Sequence, residues 1–438
     1  MKSRTVLISG CGVAGPTLAY WLLAAGFTPT LVERAAKFRA GGYVIDFWGL
    51  GFDIAEKMGL APALRTRGYE IAELRLVDGR GRRVAGFGVD VFRELTEGRY
   101  VSLQRGDLAR LIFEEIEGRC ETIFGESVTA LRQTGEGVEV SFERLAARRF
   151  DLVIGADGLH SAVREAAFGP QERFETYLGY GVAAFGAKGY RPRDEGAYVA
   201  YAAPGKQAAR FAMREDRTMF LLVFAAGRPP KSELRDAAAQ KALLQAQFHD
   251  DGWECPQILA ALEAGDDLYF DRVSQIRAPA WSRGRVALVG DAAFAPSLLA
   301  GQGAALAMIG AYVLAGELAA SPEEPHAAFQ RYERTLRGFM TAKQKAAVAF
   351  AGSFAPKTRL GIFTRNLVTN AFAIPGVAKL AMGASILDRI DLPTYPALAR
   401  GGLEWVAHGR AFTERQLEQG RGGRSKSLNE LGDEGQDR

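Results

Sequence analysis

The stretch from Arg4 to Ala35, RTVLISGCGVAGPTLAYWLLAAGFTPTLVERA, admits few folds. An apolar strand at Thr5–Ser9 runs into Gly10, Gly12 and Gly15 in GxGxxG spacing, a helix ends near Gly26, and a second strand, Thr30–Val32, finishes at Glu33. Strand, glycine turn, helix, strand and terminal acid in that order describe a βαβ unit of a parallel sheet. The first glycine permits the tight turn, the second lets backbone approach a pyrophosphate, and the third lets helix and strand pack closely. Gly10, Gly12, Val13, Ala14 and Gly15 are therefore candidate dinucleotide-binding positions. Glu33 can accept hydrogen bonds from a ribose diol. Arg34 follows at once and would suit a 2′-phosphate, but beside Glu33 the unphosphorylated adenosine of FAD or NAD is preferred.

At 438 residues the chain exceeds what one core usually serves, so two closely packed domains are expected. Hydrophobic residues at 48% and charged residues at 24% are ordinary for a globular protein, and a net charge of +4 is too weak to point to nucleic acid. Cys11, Cys120 and Cys255 are widely spaced and form no C-x-x-C pair, which fits a reducing compartment without a disulfide framework or a zinc site. The apolar run after Lys2 and Arg4 is shorter than the roughly 7 to 15 residues of an export signal, so a cytoplasmic location is expected.

Gly290–Leu318, GDAAFAPSLLAGQGAALAMIGAYVLAGEL, carries no charge between Asp291 and Glu317. It is long enough to suggest a membrane span, but Pro296 and Gly301-Gln302-Gly303 interrupt it, and exposed irregular backbone is not tolerated in lipid. A strand, a loop from Asp291 to Gln302 and a buried helix from Gly303 to Ala319 is the better division, with no transmembrane segment. That helix start is suited to a negative ligand group. A third block, FDLVIGADGLHSAVREAAFG, sets Asp157 and Gly158 on a strand-to-helix turn, and YVSLQRGDLARLI places Arg105 at another.

Three such blocks in this order resemble the single-component, FAD-dependent aromatic hydroxylases, the group A flavoprotein monooxygenases of the para-hydroxybenzoate hydroxylase fold, which include the tetracycline-inactivating flavin monooxygenases. The resemblance spans most of residues 4–340. It implies an α/β fold: a Rossmann-like FAD-binding domain (residues 1–72, 100–175 and 275–320), an interleaved antiparallel β-sheet substrate domain (73–99 and 176–274) and a C-terminal helical segment (321–414). The composition of residues 415–438 suggests disorder. The resemblance further implies that the glycine unit with Glu33 holds the ADP half of FAD, that Asp157 lies near both FAD and the nicotinamide cofactor, and that Arg105 lies near the FAD. Asp291 would meet the ribityl chain, with Gly301, Gly303 and Ala304 under the flavin ring. GGYVIDFWG would lie beside the flavin, making Asp46 a candidate.

This chain departs from the family pattern at Phe294, Leu298, Ala305 and Gly310, which makes the expected flavin surroundings more apolar. From the β-rich middle, Tyr201, Phe211, Met213 and Phe224 are substrate-pocket candidates, and Leu298 joins them. No second GxGxxG unit follows, so NADPH or NADH is expected to bind transiently at the one flavin. The implied activity is oxygenation of an aromatic or polycyclic small molecule with O2, through a flavin C4a-hydroperoxide, with no protein nucleophile and no metal. A flavin reductase or dehydrogenase that inserts no oxygen and a non-catalytic flavin-binding sensor are the alternatives, both prompted by those departures.

Overall fold

The computed structural model describes residues 4–398 except 39–41, 89, 91–92, 94–95, 97, 228–235, 266, 375–376, 378–387 and 389. The tail at 415–438 and most of the C-terminal stretch beyond Ile374 thus lie outside the described residues.

The chain folds as an α/β protein around two large sheets. The first begins with β1 (Thr5–Ser9), whose residues from Val6 to Ile8 are fully buried. β1 pairs in parallel with β2 (Thr28–Glu33) on one side and with β11 (Leu152–Gly155) on the other. β7 (Glu121–Phe124) extends the sheet beyond β2, β18 (Val286–Leu288) extends it beyond β11, and the antiparallel β17 (Ser282–Arg283) closes that edge. Continuous apolar runs such as Val6-Leu7-Ile8 and Leu152-Val153-Ile154 suit parallel strands covered on both faces.

The second sheet has the order β16 (Leu268–Ile276), β12 (Glu175–Lys188), β15 (Arg217–Ala225), β14 (Lys206–Met213), β13 (Ala197–Ala203), β4 (Glu73–Val77), β5 (Arg83–Gly88). Its pairs are antiparallel except β13 with β4, which run parallel. The Asp78–Gly79 turn joins β4 to β5. A short ribbon, β3 (Val44–Trp48) with β6 (Tyr100–Gln104), is antiparallel, and β8 (Val128–Gln133), β9 (Val138–Phe142) and β10 (Arg148–Phe150) form a separate small sheet.

Helices α1 (Ala14–Ala24), α2 (Leu50–Lys57), α3 (Ala61–Arg67), α4 (Arg105–Glu114) and α5 (Ala162–Phe168) belong to the first body; α6 (Ala237–Phe248) and α7 (Cys255–Ala264) cover one face of the second sheet. A single turn, α8 (Asp291–Phe294), precedes the long α9 (Gly303–Ala320). α10 (Pro325–Phe354) packs on α9, and α11 (Arg359–Ala371) lies across β5 and β13.

Among the described residues α9 alone is long and apolar enough to cross a membrane, but 83% of it is buried inside the protein. Its neighbours α1, α2 and α10 supply the apolar surroundings that a helix hydrophobic on every side requires. Its one charge, Glu317, accepts hydrogen bonds from the Tyr395 hydroxyl at 2.9 Å and from Arg331 Nε at 2.6 Å. A buried carboxylate so paired avoids the penalty of an isolated charge.

Candidate flavin site

Two glycines explain the turn after β1. Gly10 has φ of +107°, and a Cβ there would stand 2.5 Å from the Ala156 carbonyl oxygen, so β1 and the turn after β11 approach as only glycine allows. A Cβ on Gly15 would fall 2.0 Å from the Gly10 carbonyl oxygen, which lets α1 start against the strand end. Glu33 braces this turn from β2: its carboxylate accepts from the Cys11 amide at 2.9 Å and from the Ala35 amide at 2.8 Å. Two oxygens offer about four lone-pair sites, so capacity for a diol remains. Arg34 beside it is exposed.

The turn opens onto one cavity. Gly12, Val13, Ala14, Arg105 and Asp291 line it on one side. Leu298, Gly301, Gly303, Ala304 and Ala307 approach from the α9 side. The helix starts of α1 and α9 therefore face the same space, and neither is capped by a side chain. Unsatisfied N–H groups and the positive helix ends make such starts anion sites.

Arg105 stands between them. Its backbone amide donates to the Tyr43 carbonyl at 3.0 Å, and its Nη2 lies 3.6 Å from where a Cβ on Gly12 would be. Burial opposes the guanidinium charge, but Tyr43, Asp291 and Tyr269 outweigh it and hold the group above its ordinary pKa. Burial pushes the Asp291 carboxyl up, partly offset by Arg105. Asp157 lies beside the wall formed by Ala156, Gly158 and Leu159. Its Oδ2 accepts from the Val163 amide at 3.1 Å and Ser9 Oγ at 3.3 Å, and burial raises its carboxyl too. Its Oδ1 is buried without a hydrogen-bond partner among the described residues.

A flavin dinucleotide fits these features. A gap above Gly12 that a side chain would narrow, two uncapped helix starts, the Arg105 guanidinium and an orphaned buried carboxylate oxygen all face or border one cavity. Buried unpaired polar atoms are rare, and a ligand accounts for one.

The substrate-pocket candidates divide between two faces. Phe211 and Met213 pack with Ile71, Ala184 and Met219 on the sheet face that meets Tyr43, and Tyr43 also lines the cavity. Asp46 sits on β3 opposite Ser102, its Oδ1 accepting from Tyr100 at 2.6 Å and Ser102 at 2.5 Å. Ile45 beside it lines the cavity, whereas Asp46 is turned toward the Tyr100 side. Phe224 and Tyr201 are corrected: both belong to the opposite face. Phe224 packs on Phe248 and Phe270 beneath α6, and Tyr201 packs near Trp253, with its hydroxyl toward Asp251. The β12–β15 runs are apolar on both sides, so alternation does not reveal which face is which.

Of the four departures from the family pattern, Leu298 lines the cavity. Phe294 points behind the turn onto Trp281, with ring centroids 4.7 Å apart, and Gly310 makes room for it: a Cβ there would stand 2.8 Å from Phe294 Cζ. Ala305 packs against Gly51 of α2. The expected apolar change at the flavin therefore reduces to Leu298, because Phe294 and Gly310 compensate each other elsewhere.

Other cavity residues escape sequence reading. Tyr43 and Tyr269 face each other at 5.6 Å between centroids, and Asp271 lies two residues along β16. Asp271 is 3.3 Å from His160 Nε2, and that contact raises the histidine pKa. Ser297 has φ of +110°, a strained value for a residue with a side chain, in the cavity wall. Arg164 is fully buried: Nη1 donates to the Ala292 carbonyl at 3.0 Å and Nη2 to the Leu159 carbonyl at 2.7 Å, tying α5 to α8. Its only sequence signal is position, seven residues after Asp157.

Known proteins share this chain's sequence and fold. The model of the FAD binding domain family matches residues 3–341. The chain belongs to this family of flavin-dependent monooxygenases. A flavin-dependent monooxygenase of an unknown prokaryotic organism is 35% identical over 401 residues, covering 90% of this chain and 99% of that protein. The uncharacterized protein Rv1260 of Mycobacterium tuberculosis (strain ATCC 25618 / H37Rv) is 38% identical over 349 residues, 78% of this chain and 92% of its own length. The crystal structure of tetracycline destructase Tet(55) superposes with a TM-score of 0.76 at 31% identity, covering 90% of this chain and 99% of that one. This monooxygenase family binds FAD, and the cavity between α1 and α9 is the candidate site for it.

Proposed function

We propose that this chain is a monooxygenase that takes electrons from NADPH or NADH and inserts one atom of O2 into an aromatic or polycyclic small molecule. The observation that carries the reading is the cavity walled by Arg105, Asp291 and the uncapped starts of α1 and α9, with the Phe211–Met213 face of the second sheet beside it. Bound FAD would supply the redox chemistry, accepting a hydride and activating oxygen at its C4a position. The chain supplies placement. Gly12, Val13 and Ala14 would receive the pyrophosphate at the α1 start, and Glu33 the ribose diol.

The α9 start at Gly303 would stabilise negative charge near the flavin N1 and C2 carbonyl. Asp157 and Arg105 would complete the cofactor contacts, and Asp291 the ribityl contact. Tyr43 lines the cavity with Phe211 and Met213 packed in the cluster behind it, an apolar side that would receive an aromatic substrate and keep water from the reacting face. The division into a cofactor-binding body and a substrate-facing sheet belongs to this reading, as does tetracycline-like polycyclic chemistry, which the Tet(55) likeness favours.

The test is spectroscopic. The purified protein should show the two visible bands of oxidised flavin, bleach when NADPH or NADH is added without oxygen, and, with a turned-over substrate, incorporate label from 18O2. Product formed without label would leave only the reductase reading; a protein that cannot take up FAD would refute both.

A further inference from the structure

Behind the α8 turn lies a second cavity, walled by Phe294, Trp281, Met340, Arg277, Arg337 and Lys345 among others. At about 200 Å³ it exceeds the ~150 Å³ that accommodates benzene, so it has room for one ring. Among the described residues no carboxylate lines it. The Arg337 guanidinium lies 4.5 Å from the centre of the Trp281 ring, donates to the Ala278 and Pro279 carbonyls at 2.7 and 3.0 Å, and is paired with Glu333. Arg277 and Lys345 have no carboxylate partner among the described residues. Arg277 is nevertheless fixed: Nε and Nη2 both donate to Gln275 Oε1, at 3.1 and 2.7 Å. An apolar wall of Phe294, Met340 and Trp281 with the exposed cations Arg277 and Lys345 beside it suits an aromatic ring bearing one negative charge.

The wall of this cavity is joined to the flavin cavity through two buried amides. Gln344, which lines the second cavity, donates through Nε2 to the Ile276 and Ala295 carbonyls at 2.6 and 3.1 Å. Gln275, which holds Arg277, donates through Nε2 to the Pro296 and Gln344 carbonyls, both at 2.7 Å. Ala295 lines the flavin cavity, and Ser297 and Leu298 continue the same loop around it. Both glutamines thus tie the wall of the second cavity to that loop.

We propose that this second cavity binds a small aromatic carboxylate, held by Arg277 and Lys345 against Trp281, and that its occupancy alters the loop Ala295–Leu298 on the flavin side. The binding half stands on the cavity alone; the coupling half rests on the flavin placement proposed above.

The probe is benzoate, with benzamide as its neutral counterpart, added to the FAD-loaded protein and, separately, to FAD-free protein. Ligand-observed NMR reads binding, and visible circular dichroism reads the flavin. Benzoate should saturate and bind about tenfold more tightly than benzamide, and Arg277→Gln with Lys345→Gln should weaken benzoate about tenfold while leaving benzamide unchanged. Benzoate should also shift the flavin dichroism of the parent protein but not of the double variant.

Equal binding of benzoate and benzamide, or undiminished benzoate binding to the double variant, overturns the site, the latter because benzoate then occupies the substrate cavity. Binding through Arg277 and Lys345 with no change at the flavin overturns the coupling. Loss of FAD binding with benzoate still held by FAD-free protein refutes the monooxygenase reading and keeps the site.

Discussion

Asp157 and Arg105 carry opposite electrostatic consequences for the same ligand. Burial raises the Asp157 carboxyl, so its stabilising form in the ligand-free fold is the protonated one; that contribution is present below the ordinary aspartate pKa and lost as pH rises through the raised value. Asp157→Asn should therefore raise the melting midpoint of FAD-free protein at pH 7.5, with a gain that shrinks as pH falls toward 4, while FAD affinity declines. Calorimetry over that pH range measures the first effect and flavin titration the second. An equal or lower midpoint at pH 7.5 would count against a strained carboxylate. Arg105→Ala removes the guanidinium over Gly12 and should weaken FAD by about tenfold or more, roughly 1.4 kcal/mol, read as the free FAD concentration for half-saturation. Glu33, Arg105, Asp157 and Asp291 stand out in the sequence because each closes a strand, opens a helix or, for Asp157, lies on the turn between the two in a glycine-marked block. Tyr43, Tyr269 and Asp271 do not, because nothing in their local sequence separates a cavity aromatic from a core one.

At the scale of elements, the first sheet was more legible than the second. The β1–α1–β2 order follows from apolar runs punctuated by glycine, and the observed β2 begins two residues earlier than its apolar core, at Thr28. In the second sheet the strands were legible but their facing was not, which misplaced Tyr201 and Phe224. The parallel β13–β4 pair was equally hidden, since it joins segments more than a hundred residues apart. Arg164 shows what joins elements once they are placed. Arg164→Met should leave the Ala292 and Leu159 carbonyls unpaired and destabilise the protein by roughly 2–4 kcal/mol, measurable by urea unfolding. A change below about 0.5 kcal/mol would mean that α5 and α8 do not depend on this link.

For the whole molecule, one core cluster includes residues from Val6 to Leu398, so the far end of the described chain shares a core with its beginning. Lys343 of α10 and Asp388 form an ion pair at 2.7 Å, and Asp388 also accepts from the Leu50 amide at 2.9 Å. Because FAD would bridge α1 and α9 within that core, adding it to FAD-free protein should stabilise the entire fold by about 2.7 kcal/mol at a hundred times its Kd, seen as one cooperative transition moving upward. Two separately moving transitions would show instead that the sheets unfold independently.

The Phe294 ring fills the space that Gly310 leaves empty. Neither position is free to mutate alone. Gly310→Ala by itself should crowd the ring and destabilise by roughly 1–3 kcal/mol, whereas Phe294→Ala with Gly310→Ala should recover part of that loss in a double-mutant cycle. The order of change matters at this pair: a smaller residue at 294 makes room for a larger one at 310, whereas the reverse order meets the ring first.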